Sequence, residues 1–295
     1  MNKFFTSIVV GLLLAFLPSQ PLRAQDRFAA DSITFVNVLW QTDTLDGFFL
    51  RSFHFDQRQL FNSCQYIYVI EIPKDSKAHL AFVSDTVLTL VSDFAKRHQA
   101  LAAINGSFFN MSTGAPVCYL RIDGKELGEN VAGQDTVNRK YYQNAAIRLL
   151  PSGHPCFTVP ASNRKSEAEI KDKTVMTAGP MLIHRGENVP QHLDRRFVYG
   201  RHNRTAIGLK KDGTIVLVVA DGRSKGQADG LSLPELTRVM RWIGCCEAAN
   251  LDGGGSTTMY VKGRGTEGIV NHPSDNGRYD AGGQRRVANA VLVVK

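Results

Sequence analysis

Ala206-Ile207-Gly208-Leu209-Lys210-Lys211-Asp212-Gly213-Thr214-Ile215-Val216-Leu217-Val218-Val219 decides the fold. Two apolar runs flank a polar turn, and Asp212-Gly213 supplies the positive φ that a tight reversal needs, so the stretch reads as a β-hairpin. Upstream, Gln65-Tyr66-Ile67-Tyr68-Val69-Ile70-Glu71-Ile72 alternates within a region of short β-rich bursts from Ile33 to Ile72, which reads as further strands. Helical spacing is scarcer. Val87, Leu90, Val91 and Phe94 share one helical face, which predicts a helix over 86–98 capped by Ser84 or Asp85. Ser232 and Glu235 stand at the S-x-x-E spacing of a capping box, and Pro234 is tolerated in a first turn, so a second helix runs over 233–243. Alternating strands and a hairpin with few helices predict an α+β fold of mixed, largely antiparallel sheets rather than a doubly wound one.

At the N-terminus, Lys3, the apolar run Ile8–Leu17 and Leu22-Arg23-Ala24 read as a secretory signal over residues 1–24. Such a run is about half of the ~20 residues a bilayer span needs, so no stable membrane insertion is expected after its removal. The expectation is an exported chain, periplasmic or extracellular, beginning near Gln25. The formal net charge is +8, or +6 once Lys3 and Arg23 are gone. That balance suits anionic substrates. The basic residues are scattered rather than striped, and no nucleic-acid motif accompanies them, so nucleic acid is not the expected partner. Cys64, Cys118, Cys156, Cys245 and Cys246 fit no metal-binding spacing and read mostly as small buried residues. Cys118 with Cys156 is the pairing an oxidising compartment allows. Segments 131–143 and 161–172 are polar and weakly patterned, and read as loops.

Chemistry concentrates in short glycine turns. Leu251-Asp252-Gly253-Gly254-Gly255-Ser256-Thr257-Thr258 removes Cβ atoms at three successive positions, where a backbone approaches a ligand or takes positive φ. Its bare amides can form an anion nest, and Asp252 is a candidate acid, base or nucleophile. It lacks the Lys of a P-loop. Ala102-Ala103-Ile104-Asn105-Gly106-Ser107 echoes Ala248-Ala249-Asn250-Leu251-Asp252-Gly253, setting Asn105 opposite Asp252, each just past a strand. Arg204 and Asp221-Gly222-Arg223 bracket the hairpin, so two guanidinium groups and a carboxylate emerge toward a common edge, and Arg is well shaped for two-point phosphate contact.

The order of Asn-Gly-Ser-Phe-Phe (105–109), Arg-Thr-Ala-Ile-Gly (204–208), Val-Ala-Asp-Gly-Arg (219–223), Leu-Asp-Gly-Gly-Gly-Ser (251–256), Asn-His-Pro-Ser-Asp (271–275) and Arg-Val-Ala-Asn-Ala-Val (286–291) resembles the phosphodiester glycosidase family. The resemblance runs from about Leu101 to Val294. It implies a hydrolase that cleaves the glycosidic bond of a sugar-1-phosphodiester, with 101–295 the catalytic domain, while residues 25–100 lie outside the resemblance and read, from their alternating strands, as a β-rich scaffold. Carried over residue by residue, it implicates Asn105, Arg204, Asp221, Asp252, Gly253, Gly254, Ser256 and Asn289. Gly106, Arg223, Gly255, Thr257, Asn271 and Asp275 join them as expected substrate contacts. Asp252, Asp221 and Arg204 are the expected catalytic group, with either Asp252 or Asp221 as base or nucleophile and Arg204 with the glycine amides on the phosphate. The partner implied is a carbohydrate or sugar phosphate, with no cofactor required. Two rival readings remain: a non-catalytic periplasmic binding protein for sugar phosphates or glycans, and a calcium-supported structural site on Asp221, Asp252 and Asp275.

Overall fold

A computed structural model describes residues 24–133 and 140–295, so the signal reading and residues 134–139 of the first polar segment lie outside the described residues. Along the chain run α1 (Ala24–Asn37), β1 (Gln41–Leu45), β2 (Phe48–Leu60), β3 (Ser63–Ile72), β4 (His79–Thr89), α2 (Val91–Arg97), β5 (Ala102–Asn105), β6 (Leu120–Ile122) and β7 (Lys125–Gly128). Then come β8 (Ala145–Leu149), β9 (Pro155–Thr158), β10 (Thr174–Ala178), β11 (Met181–His184), β12 (Glu187–Asn188), α3 (Arg195–Tyr199), β13 (Arg204–Lys210) and β14 (Ile215–Ala220). The chain closes with α4 (Leu233–Ile243), β15 (Cys245–Asn250), β16 (Met259–Val261) and β17 (Val287–Val294).

Among the described residues the strands form three antiparallel sheets, in the orders β1-β2-β3-β14-β13-β15-β11-β12, β7-β6-β10-β8-β9 and β16-β5-β17-β4. The α+β expectation holds, and so does the hairpin, with Arg204 opposite Ala220 and Leu209 opposite Ile215. Pleat alternation sets the layers. Ile70, Leu217, Ile207 and Ala249, which line up across the large sheet, face a central core shared with Leu120, Ile147 and Met176 of the second sheet and Ile104 and Val291 of the third. Their neighbours Val69, Val218, Ala206 and Ala248 face the other way, onto α4 and Phe35 of α1. Each Ile, Leu or Val among them, fully buried, contributes roughly 1.5–3 kcal/mol. Helix α4 begins as its sequence predicts, with the Ser232–Glu235 box formed and Gly244 closing it at φ 104°. Gly208 lets it approach, because a Cβ there would fall 2.7 Å from Met240 Cε.

Three expectations are corrected. The helix over 86–98 is shorter, since β4 continues to Thr89 in register with Val287, leaving Val87 exposed and starting the helix at Val91. Residues 33–37 finish α1 rather than open a strand, because Phe35 packs among Trp40, Phe55 and Trp242. Cys118 and Cys156 are free thiols. Cys118 precedes β6, and β6 is three strands from β9, which carries Cys156. At ~4.8 Å per strand that is roughly 14 Å, twice the reach of a disulfide.

Candidate active site

The C-terminal ends of β14 and β15 and the start of β13 coincide at one end of the large sheet, since Arg204 opposes Ala220 and Ala206 opposes Asn250. Strand β5 of the small sheet ends at the same place. Asp252 N–H donates to Gly106 O (3.0 Å), and Asn105 Nδ2 donates to Asp252 O (2.7 Å). The two echoing turns therefore hold each other. Asn105 Oδ1 in turn accepts from Thr205 Oγ1 (2.8 Å) and Thr258 N–H (3.2 Å), so both ends of this buried amide are engaged as a clamp. Asn289 Oδ1 accepts from Ser107 N–H at 2.7 Å, and a Cβ on Gly106 would fall 2.0 Å from that oxygen. Glycine at 106 is thus a condition of the clamp.

Beside the joined turns lies a cleft of about 280 Å³, whose lining includes Arg204, Arg223, Asp252 and Gly253 to Gly255, with Phe108, Phe197, His202, Asn203 and Arg285 also in its wall. A Cβ on Gly254, which has φ 60°, would meet Arg223 Nη2 at 2.7 Å. One on Gly255 would meet Arg285 Nη2 at 2.5 Å. The glycines let two guanidinium groups lie against the backbone beside Asp252. They do not form the expected open nest: Gly253 N–H donates to Asp252 Oδ1 (2.9 Å) and Gly254 N–H to Asn203 O (2.9 Å).

Burial dominates the electrostatics. It raises the Asp252 carboxyl to about 6, although Ser256, the Gly253 amide, Arg285 and Arg223 all draw it back. The Ser256 hydroxyl does so from outside good hydrogen-bond geometry. Burial lowers Arg204 to about 10. Its Nε donates to Leu231 O (2.9 Å) and its Nη2 to Phe197 O (2.9 Å) and Gly200 O (3.1 Å). Among the described residues, it makes no ion pair with a carboxylate. His202 is lowered by burial and by Arg204 and Arg223, which favours the neutral imidazole at pH 7.

Asp221 stands apart from the cleft lining. It is fully buried, with Oδ1 accepting from Asn271 Nδ2 (3.1 Å) and His272 N–H (3.0 Å), and Oδ2 near His272 Nδ1 (2.8 Å) and Tyr68 Oη (3.3 Å). Asn271 also donates to Thr257 O (3.2 Å), so this network braces the Asp252 turn from behind. Asp275 holds Arg285, with Nε to Oδ1 at 2.9 Å. Asn105, Gly106, Ser256, Thr257, Asn271 and Asn289 thus support the cleft rather than line it. The calcium reading is not supported, because no group of three or more His, Cys, Asp or Glu among the described residues is placed to hold a metal ion. Sequence reasoning missed Arg285, His202, Asn203 and Phe197. The available signals were the tandem Arg285-Arg286 after two glycines and the polar run 201–204 leading into β13.

A half-buried acid and three guanidinium groups thus share one cleft at the meeting of two antiparallel sheets in an α+β protein. Residues 98–294 match the phosphodiester glycosidase family model, and the chain belongs to that family. It is 28% identical over 204 residues to N-acetylglucosamine-1-phosphodiester alpha-N-acetylglucosaminidase of Mus musculus, covering 63% of this chain and 36% of that protein. The Homo sapiens protein of the same name is 36% identical over 200 residues, with the same coverage of 63% and 36%. The match spans about a third of the length of these relatives. The zebrafish catalytic domain of that name, solved auto-inhibited by its pro-peptide, has a TM-score of 0.64 at 18% identity, covering 88% of this chain and 89% of that one. A hypothetical protein from Synechocystis has a TM-score of 0.62 at 16% identity, covering 88% and 64%. These two likenesses are of fold.

Proposed function

We propose that the chain is an exported hydrolase that cleaves the glycosidic bond of a sugar-1-phosphodiester. The observation that carries the reading is that Asp252 shares one cleft with Arg204, Arg223 and Arg285. A buried cation without a carboxylate partner is expensive, and a phosphodiester bound there offsets part of that cost while charged hydrogen bonds fix it. When the sugar C1–O bond breaks, the phosphate departs with the electron pair. Its developing charge is met by guanidinium groups, so little protonation by a general acid is required. Asp252, the carboxylate of the cleft, takes a proton from the water that attacks C1. Asp221 orients rather than reacts. Phe108 and Phe197 offer apolar surface for the sugar ring. The relatives' names specify N-acetylglucosamine, whereas the substrate proposed here stays at the level of a sugar-1-phosphodiester. Export rests on Lys3, the apolar run 8–17 and Ala24, and no helix of the described residues is long and apolar enough to cross a membrane.

Incubating the mature protein with a sugar-1-phosphodiester and assaying free reducing sugar tests the reading. Release is expected to rise with pH as Asp252 loses its proton near 6, and Asp252→Ala should lower the rate by roughly 10²–10⁴-fold, the range for losing a positioned base. Binding without release by the wild type would instead establish a sugar-phosphate binding protein.

A further inference from the structure

We infer that Asp275 sets the charge selectivity of the cleft, tuning it to a singly charged phosphodiester and against a doubly charged phosphomonoester. The inference rests on the function proposed above and narrows it. Of the three guanidinium groups that line the cleft, Arg285 alone is gripped by a carboxylate among the described residues: Asp275 Oδ1 takes its Nε at 2.9 Å and its Nη2 more closely still. Arg204 donates its Nε and Nη2 to main-chain carbonyls, and Arg223 lies along Gly254. Both members of the Asp275–Arg285 pair press on the glycine turn itself, because a Cβ on Gly255 would sit 2.5 Å from Arg285 Nη2 and 2.6 Å from Asp275 Oδ1. The side chains are 36% and 21% exposed. A pair this open to water contributes little to stability. Its consequence falls on what binds beside it.

With Asp252 ionised and His202 neutral, the cleft and its rim present three positive charges against two negative ones. One net positive charge matches a phosphodiester. Cleavage at C1–O adds the water oxygen to the sugar, leaves the bridging oxygen on phosphorus, and turns a monoanion into a phosphomonoester that is a dianion above its second pKa near ~6. Coulomb energy is proportional to ligand charge, so the Asp275 carboxylate opposes the dianion twice as strongly as the monoanion. Asp275 therefore weakens retention of the product more than capture of the substrate.

Calorimetric titration of the mature protein at pH 8 with dimethyl phosphate, a monoanion, and methyl phosphate, a dianion, reads this directly and needs no turnover. In Asp275→Asn, affinity should rise roughly threefold for dimethyl phosphate and roughly tenfold for methyl phosphate, shifting their ratio by about the first factor. Asp275→Glu, which keeps the charge, should hold the wild-type ratio. Equal changes in both affinities, no change, or the same ratio shift in Asp275→Glu would overturn the inference. Failure of the wild type to release sugar would overturn the reaction and leave this measurement standing.

Discussion

At the scale of single residues, Asp252, the base of the proposed reaction, carries a stability signature. Its folded carboxyl titrates near 6 against an ordinary 3.8, chiefly through burial. The folded chain thus keeps a proton that the unfolded chain releases, so stability falls as pH rises from about 4 to about 6 and is level above that. Asp252→Asn removes the penalty while its side-chain oxygen still accepts from Gly253. The variant should exceed the wild type by up to about 3 kcal/mol at pH 8, with the difference gone below pH 4, as read by urea denaturation at both values. A wild type that is the more stable at pH 8 would show the carboxylate to be favoured in place. Arg204 illustrates what sequence leaves open. Its position beside the hairpin was legible, but the carbonyls of Phe197, Gly200 and Leu231 that fix its guanidinium come from segments with no pattern to announce them.

Among the elements, α4 is the one whose sequence and structure agree most closely, because its start is written in local hydrogen bonds. Ser232 Oγ accepts from Glu235 N–H (3.3 Å) and Glu235 Oε2 accepts from Ser232 N–H (2.8 Å). Glu235 also pairs with Arg201, which donates to Phe61 O (2.8 Å). Ser232→Ala should cost about 1 kcal/mol of global stability, measured by thermal or chemical unfolding, with sugar release at permissive temperature nearly unchanged. A loss below ~0.3 kcal/mol would mean that packing of Leu233, Leu236 and Met240 alone holds the helix. Strand β4 shows the reverse case. Residues 86–89 begin a stretch with the periodicity of a helix, yet Ser84 and Thr89 on either side of an irregularity pair with Asn289 and Val287 of β17, some two hundred residues along the chain, and keep the strand running to Thr89. Helical spacing is a local preference, and a cross-strand register overrides it.

For the whole molecule, the sheets run across residue 100. Strand β3 lies between β2 and β14, and β4 pairs with β17. A fragment of residues 101–295 would expose the β3-facing edge of β14, fully buried in the intact chain, together with the apolar faces that Ile70 and Phe82 now cover. Such a fragment should fail to fold cooperatively, with no sharp thermal transition and rapid proteolysis. A cooperative melt from the isolated fragment would make 25–100 an accessory layer.

The hairpin, the capped helix and the glycine turns are legible in the sequence, since turn chemistry and periodicity act over a few residues, whereas the contact between Asn105 and Asp252 joins distant segments. Tertiary structure alone decided that Asp252 faces three arginines while Asp221 turns inward to His272, that Arg285 belongs to the cleft, and that Cys118 and Cys156 stay apart. Those outcomes depend on strand order. Pairing between segments distant along the chain is set by the packing of whole faces, and a single strand does not encode which neighbour it will have.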